Sequence, residues 1–233
     1  MITLWQKEAL PFKSTASFMQ TACLVSGFGD SALAADLWVQ RVNGRESAVI
    51  SRQGGRLNIT AEDADFDELK EFISVIGYSE IFCEKSLAVS LGFKDFCEFT
   101  VLKKVSRKTT EIKSDISLGA LYAALKWGED GDIELPSFEA FAPDVSHRLR
   151  HGGAAALLTD FGGALAFTSA YGGIINGIAV KKDYRGHGFG GKLLKDLCRL
   201  IDGEIFVCTS EKGADFYIKN GFIKCDTAVI VRG

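Results

Sequence analysis

No run of ~18 apolar residues free of charge occurs anywhere in the chain, so none of it reads as a membrane-spanning helix. Prolines number three in 233 residues, too few for a linker-built or low-complexity protein. Six cysteines are present (Cys23, Cys83, Cys97, Cys198, Cys208 and Cys225) but none forms a CxxC pair. The three histidines are no better spaced, so no metal is expected. Four of the cysteines lie in apolar strand-like or helix-like contexts, where a free thiol behaves as a small hydrophobe, and a reducing cytoplasm is the expected compartment. The opening residues, MITLWQKEALPFK, show neither the charged n-region nor the apolar h-region of a secretion signal. Basic residues are scattered, and with a net charge of −3 no nucleic-acid surface is expected. What is abundant is core-forming material. Hydrophobic residues make up 47% and charged residues 24%, enough for one large or two small ordered domains.

One stretch stands out, residues 174–191, IINGIAVKKDYRGHGFGG. Ile174 to Val180 is apolar and rich in β-branched residues, as in a buried strand. A charged turn of Lys181, Lys182, Asp183 and Tyr184 leads to Arg185-Gly186-His187-Gly188-Phe189-Gly190-Gly191. A helix is then predicted from Lys192 to Ile201, with Leu193, Leu194, Leu197, Leu200 and Ile201 at helical spacing. The first N–H groups of a helix have no partner within it, and the dipole makes that end positive. Glycines lacking a Cβ let a phosphate approach, and Arg185 adds charge. The stretch therefore reads as an anion cradle suited to a pyrophosphate. Gly186-x-Gly188-x-x-Gly191 also satisfies the dinucleotide fingerprint, but that unit requires further βαβ repeats and an acid ending the next strand. Here Glu204 begins the next strand instead, and only 42 residues follow Gly191. A purely structural glycine turn is the remaining alternative.

The spacing Arg185-x-x-Gly188-x-Gly190 after a strand ending in Val180, with Leu193-Leu194 opening the helix, resembles the acetyl-CoA signature of the GNAT superfamily of N-acetyltransferases. Near the chain end, Ser210-Glu-Lys-Gly213-Ala-Asp-Phe216-Tyr217-Ile-Lys-Asn-Gly221-Phe222 resembles that family's closing segment, with Tyr217 four residues before a Gly-Phe pair. Ser210 and Gly213 stand where the family more often has Asn and Ala. The resemblance implies transfer of an acetyl group from acetyl-CoA to a primary amine, on a small molecule or a peptide, by direct attack and without a metal. It implies that the backbone of Ile178, Ala179 and Val180 pairs with the pantetheine arm. It further implies that Arg185, Gly186, His187, Gly188, Phe189, Gly190 and Gly191 hold the pyrophosphate and that Ser210 touches the cofactor. Tyr217 is the implied acid for the departing thiolate, since a phenol near pKa 10 and a thiol near 8.5 suit that exchange. No general base is evident. Asp160 reads as a turn residue. His147 and His151 share one helix face, lining an acceptor pocket or capping the helix end, and Cys208 reads as a core thiol. A non-catalytic acyl-CoA-binding module is the competing reading.

The whole chain repeats one plan. In the first half a helix near Ser14–Ser26 precedes a hairpin turning at Asn43-Gly44 and a strand 56–60. Then come a helix 65–76, a strand 80–83, a short helix 84–90 and a strand 96–105. In the second half two helices, Leu118–Trp127 and Ser137–Arg150 (broken or started near Pro143), precede a three-stranded meander, the cradle helix, a strand, a helix and a closing strand. Glu80-Ile-Phe-Cys parallels Glu204-Ile-Phe-Val, and Leu91-Gly92-Phe93 parallels Asn220-Gly221-Phe222. Run without gaps, this alignment sets Ala61 opposite Arg185 and the acidic Glu62–Phe66 opposite the glycine loop, with Ala88 in the place of Tyr217. The expected fold is mixed α/β (α+β): two tandem GNAT-like domains, each a twisted mixed sheet flanked by helices. Residues 1–110 would be a degenerate copy and 115–233 the catalytic one, with the boundary in the polar run Arg107–Ser114. Acceptor choice is expected from Leu118 to His151, which mixes Glu129, Asp130, Asp132 and Glu134 with Phe138 and Phe141.

Overall fold

The computed structural model describes residues 1–5, 10, 14–28, 35–111, 116–128 and 135–233. The four acids 129, 130, 132 and 134 and the end of the expected boundary run lie outside these. A short edge strand, β1 (Ile2–Leu4), and helix α1 (Ala16–Phe28) come first. Asn43 and Gly44, at φ 51° and 75°, then make the left-handed two-residue turn whose twist suits a hairpin, joining β2 (Asp36–Val42) to β3 (Arg45–Gln53). The chain continues through β4 (Arg56–Ala61), α2 (Phe66–Ile76), β5 (Glu80–Glu84), α3 (Lys85–Ser90) and β6 (Cys97–Ser106).

The second half contributes α4 (Leu118–Lys126), α5 (Phe138–Arg150), and the meander β7 (Ala154–Thr159), β8 (Gly162–Ser169) and β9 (Gly172–Val180). A 3-10 turn at Lys182–Tyr184 leads to α6 (Phe189–Cys198), β10 (Gly203–Thr209), α7 (Glu211–Lys219) and β11 (Ile223–Arg232). The expected break at Pro143 does not occur, and α5 runs through it. Pro143 is exposed, so the carbonyl of Glu139 that its missing N–H would have bonded faces water.

All eleven strands form one sheet in the order β1-β2-β3-β4-β5-β11-β6-β10-β9-β8-β7. The order is nearly symmetric about its centre. Each half supplies a parallel pair, β4 with β5 and β9 with β10, and every other neighbouring pair is antiparallel. The final strand of each half crosses into the other half's territory: β6 pairs with β10, and β11 pairs with β5. The halves are thus joined by exchanged strands as well as by a linker.

Alternating side chains along each strand build two faces. On the front, α2 and α3 cover the first half over Leu57, Ile59, Ile81 and Val229, and α6 and α7 cover the second over Ala166, Ile205 and Val207. On the back, α4 and α5 pack on Ala154, Ala156 and Leu165. Helix α1 lies over the centre, where Met19 and Cys23 meet Phe82, Val101, Ile174, Phe206 and Ala228 from both halves. Burying side chains such as Phe206 and Met19 contributes roughly 1.5–3 kcal/mol each.

Strand register corrects the ungapped alignment of the halves. Arg56 pairs with Glu80 as Gly172 pairs with Glu204, an offset of 116 in the first strand of each pair against 124 in the second. The first half is therefore eight residues shorter between strand and helix. Ala61 corresponds to the middle of β9, not to Arg185. The deletion removes the far end of that strand and the turn after it.

Candidate functional site

Strands β9 and β10 pair only at Gly172–Ile174 with Glu204–Phe206 and then part. A β-bulge drives the divergence: Leu165 of β8 faces Gly177, but Ala166 faces Ile175, so Asn176 is the extra residue. Because the side-chain period is two, one inserted residue reverses which face the rest of the strand presents. Ile174 lies in the back core, whereas Ile178 and Val180, of the same parity, line a cleft on the front. The outer end of β9 is left without a strand partner on its β10 side, its backbone open there.

That cleft has a volume of about 1050 Å³ and runs from Ile178 and Val180 past the loop to α7. Gly186 and Gly188 adopt φ of 80° and 82°, a conformation that side chains disfavour, and Gly188 caps α6 with no side-chain acceptor. The first turn of α6 contains no acid, so its N–H groups and the dipole face the cleft uncompensated. Gly190 and Gly191 have a different cause. A Cβ on Gly190 would sit 3.2 Å from Phe216 Cε2, and one on Gly191 would sit 2.8 Å from Asn220 Oδ1. These two glycines let α6 and α7 close together, forming the floor beneath the loop.

The structure distributes the remaining expected site residues unevenly. Arg185 is at the cleft, with its Nε donating to the Val180 carbonyl at 3.0 Å and a terminal nitrogen donating to the Trp127 carbonyl. It ties the end of α4 to the end of β9 while its exposed face remains positive. His187 Nδ1 meets the Arg185 carbonyl at 2.9 Å, which shapes the loop. Phe189 packs tilted against Phe161 with ring centroids 4.4 Å apart and meets Tyr184 edge-on, so it anchors the loop by packing. Ala179 points into the core. Ser210 caps α7 through a hydrogen bond from Gly213 N–H at 3.3 Å. Tyr217 is half-buried, packed edge-on to Phe216 and Phe222, and closes the same apolar cluster as Ile178.

Sequence reasoning missed several lining residues: Tyr184, Lys192, Lys195, Phe216, Lys219 and Asn220. Lys192 and Lys195 share one helix face at i, i+3, a pattern legible in advance. Lys219 needed the packing of α7 on α6. Phe216 shows in the sequence only as the residue before Tyr217. Cys208 is a core thiol: burial, then the nearby Glu84 charge, pushes it up to about 12. His147 and His151 contact each other, and His147 stacks on Phe28 at 5.3 Å, which makes them packing residues on α5.

Among the described residues of the first half nothing comparable is present. Asp65 caps α2 by accepting from Glu68 N–H at 3.0 Å, and Asp67 and Glu68 add negative charge to the first turn. Strand β4 has no bulge against β3. The notch where β4 and β5 part is filled by α1. There Ser17 Oγ lies 2.6 Å from Thr60 Oγ1 and 2.6 Å from Glu84 Oε2, and Ser17 N–H donates to Glu84 Oε1 at 3.2 Å. Both Phe93 N–H to Ala88 and Phe222 N–H to Tyr217 close the same turn after a helix, so Ala88 does stand where Tyr217 stands.

Residues 150–224, which contain the meander, the loop and α7, match the family model described as Acetyltransferase (GNAT) domain. Residues 150–224 thus match a GNAT acetyltransferase domain. The chemistry of that family is acyl transfer. The chain also resembles a GCN5-related N-acetyltransferase from Kribbella flavida (13% identity, 92% of each chain, TM-score 0.54) and one from Sphaerobacter thermophilus (15% identity, 93% of this chain and 91% of that one, TM-score 0.52). A tandem GNAT protein from the clavulanic acid biosynthesis pathway matches at 12% identity over 91% of this chain and 87% of its own, with a TM-score of 0.48. At these identities the likeness is one of fold, and with the first two it spans both halves. No curated protein matches the sequence. The two halves together make one mixed α/β sheet built on a repeated plan. Among the described residues no helix is long and apolar enough to cross a membrane.

Proposed function

We propose that the chain transfers an acetyl group from acetyl-CoA to a primary amine by direct attack, with the donor held by the second half. The observation that carries this reading is the alignment of features along one cleft. The bulged, unpaired end of β9 lies at one end, the open N-terminus of α6 with Lys192 and Lys195 along the wall, and α7 at the other side, where Tyr217 sits behind the lining in the apolar cluster that holds Ile178. The residues fit the donor. Gly186 and Gly188 leave open space where a Cβ would stand, and three lysines offset phosphate charge. Bound there, acetyl-CoA supplies an activated thioester. N–H groups of the bulged segment from Gly177 to Val180 are placed to polarise its carbonyl as negative charge develops. The amine nitrogen forms the new C–N bond and the C–S bond breaks. Tyr217 gives its proton to the departing thiolate, and the proton lost by nitrogen leaves through water. Water takes this part because no carboxylate is among the cleft's described lining residues. The six free cysteines support a reducing compartment for the reaction.

Tyr217→Phe tests the assignment. Turnover should fall more than about tenfold, as befits loss of a positioned acid, while affinity for acetyl-CoA stays the same. Unchanged turnover would remove Tyr217 from the mechanism. Tight acetyl-CoA binding with no turnover on any amine would favour a binding module instead.

A further inference from the structure

Behind the bulge, on the face of the sheet opposite the cleft, a cavity of about 140 Å³ lies between the two halves. Its wall includes Arg56 and Asn58 of β4, Arg148 of α5, Phe167 of β8, Asn176 of the β9 bulge and Gln20 of α1. The polar groups there are incompletely matched. Arg148 is 2% exposed and wedged between the rings of Phe28 and Phe167, at 4.7 and 4.0 Å. Its Nε donates to Asp144 at 2.9 Å and Nη1 to the Cys23 carbonyl at 2.8 Å. Asp144 thus answers the charge of Arg148. Arg56 has no side-chain hydrogen bond or ion pair among the described residues; Glu80, its neighbour on β5, acts on it only at longer range, and it rests 5.4 Å over the Phe82 ring. Burial lowers its pKa, with the neighbouring charge of Glu80 opposing that shift. Asn58, 7% exposed, donates from Nδ2 to Ser51 at 3.1 Å, but its Oδ1 is a buried acceptor with no partner.

A half-buried cation with no direct ion pair and a buried acceptor without a donor both carry a free-energy cost, and both costs fall if one ligand supplies the missing partners. The ligand must bring an anion to Arg56 and an N–H to Asn58. The volume holds about five waters at liquid density, so the ligand is small. Position ties the cavity to the reaction, because Asn176 lines it while Ile178, two residues along β9, lines the cleft. We infer that this cavity holds the acceptor, and that the acceptor is a compact amine bearing a carboxylate, with the carboxylate on Arg56 and the amine beside Asn58. This deepens the acyl-transfer reading and rests on it. It also gives the degenerate half a role, since Arg56 and Asn58 belong to that half.

The test uses the full chain and pairs of small amines: amino acids up to the size of glutamate, each against the amine lacking its α-carboxylate. Binding is measured by calorimetry without acetyl-CoA, and turnover by release of free CoA thiol. At least one carboxylate-bearing amine should bind, with kcat/KM at least about 100-fold above its decarboxylated partner, because a site built around a charged group rejects the analogue lacking it. Arg56→Gln should raise the acceptor KM at least about tenfold, and leave the acetyl-CoA KM within about twofold. Arg56→Lys should recover part of the loss and serves as the control for folding. Equal treatment of the two members of every pair, failure to bind any of them, or an acceptor KM unmoved by Arg56→Gln overturns the inference. A separate titration with acetyl-CoA reports on the acyl-transfer reading. Donor binding with indifferent acceptors sinks the cavity assignment alone, whereas carboxylate binding lost in Arg56→Gln without donor binding sinks the transferase reading alone.

Discussion

Replacing Ser17 by Ala should destabilise the protein by about 3 kcal/mol at neutral pH, and by less in acid. Ser17 is fully buried and Glu84 nearly so, and the serine hydroxyl approaches both carboxylate oxygens, at 2.8 and 2.6 Å. A hydroxyl has one proton to give, so it donates to Glu84 and accepts from Thr60. The substitution removes one hydrogen bond to a charged group, about 1.5–3 kcal/mol, and strands the Thr60 hydroxyl, about 1 kcal/mol more. At about 2–4 °C per kcal/mol for a chain of this size, Tm should drop by about 6–12 °C. The pH dependence follows from Glu84. Burial raises its carboxyl above the usual range, the Ser17 hydrogen bonds pull it down, and the Asp226 charge pushes it up. A carboxyl raised in the folded state contributes stability that is present below its unfolded pKa and is lost as pH rises through the folded one. Removing the Ser17 hydroxyl raises it further, so the deficit of the variant should widen from about pH 4.5 to pH 7.5. Urea unfolding at the two pH values measures both. A loss below about 0.5 kcal/mol, or a larger loss in acid, would refute the claim that this triad plugs the notch of the first half.

Calorimetric titration with acetyl-CoA should give one site per chain, and Lys192→Glu with Lys195→Glu should weaken it and flatten its salt dependence. Two sites would mean that the first half retains a cradle. Gly188→Val, forcing a branched side chain into φ 82°, should cost about 1–2 kcal/mol of stability by thermal melting and weaken acetyl-CoA binding. Cys208→Ala should keep kcat within about twofold, because a thiol pushed up to about 12 by burial is no nucleophile at neutral pH. Residues 115–233 expressed alone should fail to give a cooperative unfolding transition, because β6 occupies the place between β10 and β11. Co-expression with residues 1–110 should restore it.

Much of this was legible beforehand, for identifiable reasons. The hairpin at Asn43-Gly44, the glycine loop, and α7 from Glu211 to Lys219 are set by local turn and cap chemistry, which a sequence displays directly. The exchange of β6 and β11 was not legible, because antiparallel pairing with either neighbour satisfies the same alternation of apolar residues. Nor was the bulge at Asn176, since an inserted residue is defined by the register of β8. Gly190 and Gly191 line the cleft, where they also have a packing task that the sequence does not display. They permit the approach of Phe216 and Asn220, neighbours separated from them by a whole strand. Ser210 stands where the family more often has Asn, and its hydroxyl has the local task of a helix cap. The eight-residue deletion was hidden for a related reason. The first half keeps a helix at the same distance from the following strand, so an alignment run backwards stays in phase until it enters β4.

The losses of the first half all fall at one junction. The bulge, the outer end of the strand, the turn and the glycines lie between β4 and α2, while the strands on either side keep their pairing. Such a pattern suits a half relieved of holding a donor but still required as structure. Strand exchange supplies the first requirement, because without β6 the second half has a gap at its centre. Helix α1 supplies another, since it fills the empty notch with Ser17 and, one turn along, lines the back cavity with Gln20. Arg56 and Asn58 stand on the same strand that lost its outer end, on the part that was kept. Deletion beyond Ala61 leaves them in place, whereas deletion before it would remove the charge from the cavity and the pairing from β5.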